Sequence, residues 1–184
     1  RSQAGGATVL SLPPAGCRQL LAAPEFGPAE VQMRMLVLSG EAVADHDLQL
    51  WYARPGSAKV SLVNTYAITE TGGQVAYRAY APAAADAGAA NNIGRPLADT
   101  PVWVVDSDLR PVNPGEVGEL LVGGPGVSRG YMNNADLTAA SFITLELDGT
   151  AQRGYRTGDR AALRADGSVE LVGRNDKQDT ALGY

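Results

Sequence analysis

Three short apolar runs separated by helix-length segments constrain this chain most: ATVLSL at 7–12, MRMLVLSG at 33–40 and KVSLVN at 59–64. Each has the length and β-branched content of a buried strand and ends at a breaker: Pro13-Pro14, Gly40 or Asn64. Residues 15–23 read as a helix with Leu20 and Leu21 on its apolar side, ending before Pro24. Asp45 is placed to cap a second helix that carries Leu48, Leu50 and Trp51 and stops at Pro55-Gly56. Strands that alternate with helices need crossover connections, so this part is expected to form parallel βαβ units.

The pattern changes after a loose Ala, Asn and Gly stretch at 81–92. PVWVVD (101–106), GELLVGG (118–124) and RAALRADGSVELVG (160–173) read as short strands joined by turns, with Asp166-Gly167 as a hairpin signal. The 22 glycines and 11 prolines suit a chain with many turns. The expected fold class is therefore α/β: a partial parallel βαβ layer at 1–92, then a small antiparallel β-barrel-like subdomain at 93–175.

Lys and Arg number 15 against 20 Asp and Glu, a net charge of −5, and the basic residues are scattered. A nucleic acid partner needs clustered cations, so that class is disfavoured. One cysteine, Cys17, allows no internal disulfide, and one histidine, His46, leaves no common His/Cys zinc cluster. The expected setting is cytoplasmic. No apolar run approaches the roughly 20 residues of a membrane span, and residues 1–15 lack the pattern of a signal peptide.

Three polar clusters lie where strands are expected to give way to turns. NTYAITETGG (64–73) offers an amide (Asn64), a ring (Tyr66), a hydroxyl (Thr69) and a carboxylate (Glu70) at the carboxyl end of an expected parallel strand, where ligands gather in such sheets. The residues alone leave this open between a ligand site and a solvated Asn/Thr turn. In YRTGD (155–159) Asp159 can accept two hydrogen bonds from a vicinal diol such as ribose, although a TGD turn is common. In GRND (173–176) Arg174 suits a ribose or phosphate contact, or a surface ion pair worth little. GGPGVSRGY (123–131) lacks the Lys-Ser/Thr ending of a Walker loop and reads as a turn at a sheet edge. Cys17 reads as a packing residue and His46 as a surface one.

Taken in order, GEAV (40–43), NTYAITET (64–71), the block from Ile93 to Asn133, YRTGD (155–159) and VELVGRNDKQ (169–178) resemble consecutive core motifs of the adenylate-forming superfamily. They are most similar to the amino-acid adenylation domains of nonribosomal peptide synthetases, over the rear part of the large N-terminal core. The resemblance implies that ATP activates an amino or related carboxylic acid to an acyl-adenylate. That product is then loaded onto the phosphopantetheine thiol of a peptidyl carrier protein domain. It implies ATP and Mg²⁺ as cofactors, and as partners the acid, the carrier domain and the remaining segments of the adenylation domain.

By motif position, Asn64 would face the adenine amino group and Tyr66 its ring, Thr69 would touch phosphate and Glu70 would hold Mg²⁺. Asp159 would take the ribose diol, Arg174 would sit near ribose and phosphate, and Asp176 would be the hinge to a C-terminal subdomain beginning within 176–184. The acyl pocket would fall on Ser11, Val37, Ser39, Thr65, Gly73 and Gln74. A Thr/Ser/Gly-rich phosphate loop with its lysine is expected before residue 1 and a lysine-bearing small domain after residue 184, so the chain reads as a piece.

Three departures stand out. Ala67-Ile68 replaces a Gly-Pro turn, Leu171 replaces an aromatic that would cover the second face of adenine, and DTAL (179–182) replaces a Val-Lys-Ile-Arg pattern. They support an alternative reading, a catalytically degenerate core that serves as scaffold or docking element in a multidomain synthetase.

Overall fold

A computed structural model describes residues 8–23, 26, 32–82, 91–147 and 149–174. The three apolar runs form strands β1 (Val9–Leu12), β2 (Met35–Ser39) and β3 (Ser61–Ile68), parallel and in the order β1-β2-β3. Leu10, Leu36 and Leu62 stand in one row of the register and Leu12, Leu38 and Asn64 in the next. Because side chains alternate along a strand, these rows line one face. Helices α1 (Pro14–Ala22) and α2 (Asp45–Tyr52) contribute Cys17, Leu21, Leu48 and Trp51 to the core that buries Leu36, Leu38 and Leu62. Pro14 at the first helical position of α1 removes no hydrogen bond the helix would have made.

Two local expectations need correction. Asp45 is the first residue of α2 and Ala44 its cap; the capping carboxylate is Asp47, which accepts from the Ala44 backbone N–H at 3.0 Å. Asp47 also takes both Nη1 hydrogen bonds of Arg18, at 3.0 and 3.1 Å. The strand expected to stop at Asn64 runs on to Ile68, because Thr65, Tyr66 and Ile68 are good strand formers and outweigh the turn character of Asn64.

The remaining strands are β4 (Gly73–Tyr80), β5 (Asn92–Pro96), β6 (Val102–Val105), β7 (Val117–Gly123), β8 (Phe142–Leu147), β9 (Thr150–Leu163) and β10 (Val169–Arg174), with α3 (Ala135–Ser141) leading into β8. Their order is β4-β5-β10-β9-β7-β6, with β8 also on β9. The β4–β5, β10–β9, β9–β7, β7–β6 and β8–β9 pairs are antiparallel. The path does not return from β6 to β4, so the sheet is open, and the mixed α/β class holds without a closed barrel. The Leu120-Leu121-Val122 stretch of the GELLVGG run is apolar because both faces of β7 are covered there. Leu120 packs with Ala76, Ile93 and Val169, and Leu121 with Val105 and Leu145.

The Asp166-Gly167 hairpin forms as read. Gly167 takes φ 81°, Asp166 accepts from the Ser168 backbone and hydroxyl at 3.0 and 2.7 Å, and Arg164 N–H donates to Ser168 O at 2.8 Å. Contacts divide the described residues into two units, one within Arg1–Thr65 and Arg78–Asn92, the other within Tyr66–Tyr77 and Ile93–Thr180. Among the described residues no helix is long and apolar enough to cross a membrane.

Candidate functional site

The second unit holds the site, and a bulge in β9 creates its centre. Glu119 of β7 pairs with Arg160 and Leu121 with Arg156, so β9 spends three residues, Thr157 to Asp159, opposite the single Leu120. Gly158 takes φ 72°, a left-handed conformation that favours glycine. The YRTGD cluster is therefore a strand bulge and not the turn expected. Thr157 staples it: its hydroxyl donates to Leu120 O at 2.8 Å and accepts from Asp159 N–H at 2.9 Å. The bulge leaves Asp159 only 7% exposed, so its charge needs partners.

Two side chains supply them. The Tyr66 hydroxyl donates to Asp159 Oδ2, and Arg174 Nη1 meets Oδ1 at 2.5 Å while its Nη2 donates to Thr157 O at 3.2 Å. Arg174 sits at the end of β10, past an extra residue at Val172 that shifts the register before Gly173. Burial, with the Asp159 charge beside it, pushes the Tyr66 phenol far above its usual range. Tyr66 is thus a fixed hydrogen-bond donor at any ordinary pH.

Beyond β3, Thr69–Thr71 make one 3-10 turn and Gly72, at φ 81°, ends it. Ala67 and Ile68 are extended strand residues, so the turn comes from Gly72-Gly73 and does not depend on the Gly-Pro pair that Ala67-Ile68 replaces. The Glu70 carboxylate accepts from the Tyr131 hydroxyl at 2.8 Å through Oε1, and the Tyr131 and Tyr155 hydroxyls are 3.2 Å apart. Burial pushes both phenols up. In the GGPGVSRGY segment the Ser128 N–H donates to Glu70 O at 2.8 Å.

These groups line one cavity of about 240 Å³, which Tyr66, Thr69, Glu70, Tyr155, Thr157, Asp159 and Arg174 share. It offers two carboxylates, one guanidinium and several hydroxyls, a set suited to a ligand with hydroxyl and phosphate groups. No group of three His, Cys, Asp or Glu among the described residues is placed to hold a metal by itself. Glu70 as a single hard carboxylate fits Mg²⁺, which binds through one or two carboxylates plus substrate phosphates and water.

The other sequence-derived candidates lie elsewhere. Asn64 is 4% exposed on the leucine face of the parallel sheet, and its Oδ1 makes no hydrogen bond among the described residues. Ser11 pairs with Val37, and Ser39 with Thr65, on the opposite face of β1–β3, where all but the exposed Ser11 are half-buried. The Thr65 hydroxyl donates to Leu38 O at 3.3 Å. Gly73, at φ 123°, has no atom within 4 Å of where a Cβ would stand, and Gln74 is exposed; both belong to the second unit.

Leu171 packs partly buried against the Ala76, Ile93 and Val169 cluster and is not among the cavity-lining residues. Asp176 and the DTAL stretch lie outside the described residues. Cys17 is buried and His46 exposed, as read. The sequence reading missed Tyr131, Tyr155 and Thr157; the tyrosines that close GGPGVSRGY and open YRTGD were the only local hint.

Residues 3–132 match the family model described as AMP-binding enzyme. The chain belongs to the AMP-binding enzyme family. This family member is 39% identical over 183 residues to a dimodular nonribosomal peptide synthase of Bacillus subtilis, a match that covers 97% of the chain and 8% of the relative. It is 35% identical over 177 residues to syringomycin synthase SyrB1 of Pseudomonas syringae, covering 96% of the chain and 28% of that protein.

Among solved structures, Klebsiella oxytoca NpsA in complex with 3-hydroxyanthranilyl-AMSN superposes with a TM-score of 0.78 at 29% identity, over 92% of the chain and 34% of NpsA. PA1221, a nonribosomal peptide synthetase protein containing adenylation and PCP domains, gives a TM-score of 0.81 at 27% identity, over 93% of the chain and 34% of that protein. The chain thus spans about a third or less of these relatives.

Proposed function

We propose that this chain is the nucleotide-facing rear part of an adenylation-domain core, in a protein that uses ATP to activate an amino or related carboxylic acid for a carrier-protein thiol. The observation that carries the reading is Asp159, held between Tyr66 and Arg174 at a cavity that also takes Thr69 and Glu70. A carboxylate fixed by two donors keeps further lone pairs for the two hydroxyls of a ribose. Arg174 then stands near ribose and phosphate, Thr69 touches phosphate and Tyr66 flanks the adenine ring.

In the reaction a carboxylate oxygen of the acid attacks the α-phosphorus, the bond from that phosphorus to the α,β-bridging oxygen breaks, and pyrophosphate leaves with the electron pair. The phosphopantetheine sulfur of the carrier domain then attacks the acyl carbon and AMP departs. Such chemistry rests on positioning and charge neutralisation more than on an acid/base pair. Mg²⁺ held by Glu70 supplies charge neutralisation at the phosphates when bound. The half-buried Val37, Ser39 and Thr65, with the exposed Ser11, are the acyl-pocket residues of the first unit, and Gly73 and Gln74 those of the second. The two subdomains are 1–92 and 93–175 except that Tyr66–Tyr77 go with the second, Asp176 is the hinge within 176–184, and the setting is the cytoplasm.

The scaffold alternative predicts that Ala67-Ile68 displaces Thr69 and Glu70. Both remain on the cavity lining, which favours the enzyme. Acid-dependent exchange of labelled pyrophosphate into ATP by the protein that carries this chain tests the reading. Exchange should occur with at least one amino or aryl acid and fall by about 100-fold in Glu70→Gln. No exchange with any acid, together with no ATP binding, would falsify it.

A further inference from the structure

We propose that the segment from Gly123 to Tyr131 is a clamp that sets the position of Glu70, with Tyr131 as its positioning residue and Tyr155 as the support behind it. The inference rests on reading Glu70 as the Mg²⁺ carboxylate. One segment grips this residue twice: Ser128 N–H holds its backbone carbonyl at 2.8 Å and the Tyr131 hydroxyl holds its Oε1 at 2.8 Å.

The clamp is itself anchored. Arg153 Nη2 donates to the carbonyls of Ser128 at 3.1 Å and Arg129 at 2.8 Å, and Tyr131 N–H donates to the Thr138 hydroxyl on α3 at 2.9 Å. The Tyr131 ring stands edge-on to Phe142 at 5.4 Å, and Phe142 meets the Tyr155 ring at 5.1 Å. With the two phenol oxygens 3.2 Å apart, Tyr131 has little freedom to turn away. The Tyr131 hydroxyl engages Oε1, and Tyr155 also reaches the Glu70 carboxylate, so both phenols orient it. A ligating carboxylate is oriented by such outer hydrogen bonds, and their removal typically lowers metal affinity about 10- to 100-fold.

The test is calorimetric ATP titration of the protein that carries this chain, once with Mg²⁺ and once with EDTA, for the wild type, Glu70→Gln, Tyr131→Phe and Tyr155→Phe. Phenylalanine keeps the ring packing and removes only the hydroxyl. Mg²⁺ should tighten ATP in the wild type, and Glu70→Gln should lose that gain. Tyr131→Phe should lose about tenfold of it with the EDTA affinity unchanged, and Tyr155→Phe should lose less in the same direction.

If both phenylalanine variants keep the full gain while Glu70→Gln loses it, the clamp is refuted and the Glu70 assignment stands. Equal weakening with and without Mg²⁺ in Tyr131→Phe also refutes it, since that is the mark of general damage. A wild type without any Mg²⁺ gain, or a Glu70→Gln variant that keeps it, removes the Glu70 assignment and the clamp with it.

Discussion

Gly126 is where the clamp meets the Thr69–Gly72 turn, and adding one methyl group there should separate them. A Cβ on Gly126 would stand well inside contact distance of the Thr71 carbonyl oxygen, and one on Gly72 would meet Gly126 O at 3.1 Å. An ordinary C···O approach is about 3.3 Å or more, so Gly126→Ala forces the segments apart by on the order of 1 Å. The Ser128 N–H to Glu70 O bond, now 2.8 Å, does not survive that movement. Losing it costs about 1 kcal/mol. Overpacking adds roughly 1–3 kcal/mol, and the stiffer unfolded chain returns about 0.4–1 kcal/mol.

The net expectation is a destabilisation of about 1–3.5 kcal/mol, read by guanidinium unfolding with the fluorescence of Trp51 and Trp103 as reporter. Gly115 is the control, since its φ is +90° and nothing lies within 4 Å of its would-be Cβ. Gly115→Ala carries only backbone strain of about 1–2 kcal/mol and should leave the Mg²⁺ gain in ATP affinity intact, whereas Gly126→Ala should lose it. A Gly126→Ala protein within about 0.5 kcal/mol of the wild type would refute the close approach and the clamp geometry built on it.

Asp159 and Arg174 should couple by about 1–2 kcal/mol in a double-mutant cycle of Asp159→Asn and Arg174→Gln. That exceeds a surface pair because Asp159 is 7% exposed, and it is held down because the Arg174 side chain is 34% exposed. A coupling near zero by chemical unfolding would make the pair a surface contact. The Cys17 thiol is pushed up to about 11, first by burial and then by the Asp47 charge, so it should resist iodoacetamide at pH 8 until the chain unfolds. Its folded value lies above the unfolded one, so its contribution to stability is complete below about pH 9 and is lost as pH rises toward 11. Prompt alkylation of the native chain at pH 8 would contradict this burial.

The apolar runs that became β1, β2 and β3 were legible because each is a short apolar, partly β-branched block that closes at a breaker or polar residue, and the Asp166-Gly167 hairpin because its turn demands those residues. The YRTGD bulge was not, since glycine at 158 signals a turn and a bulge equally well until the partner strand is known. Asp45 and Asp47 both suited the start of α2, and only the reach of Asp47 back to Ala44 N–H decides between them. Leu171 matched a motif position, yet its side chain packs with Ile93 and Val169 instead of lining the cavity. Tyr131 lies 61 residues from Glu70, and no periodicity within either segment announces a contact at that separation.

Asp159 as the reader of a ribose diol is the central claim, and a comparison of ATP with 2′,3′-dideoxy-ATP tests it most directly. In calorimetric titrations of the protein that carries this chain, ATP should bind at least about tenfold more tightly than the dideoxy analogue, the loss expected for two hydrogen bonds to a charged acceptor. Asp159→Asn should weaken ATP and bring the two ligands close together. Equal affinity of the wild type for both nucleotides, or a preference for ATP that survives Asp159→Asn undiminished, would contradict the account.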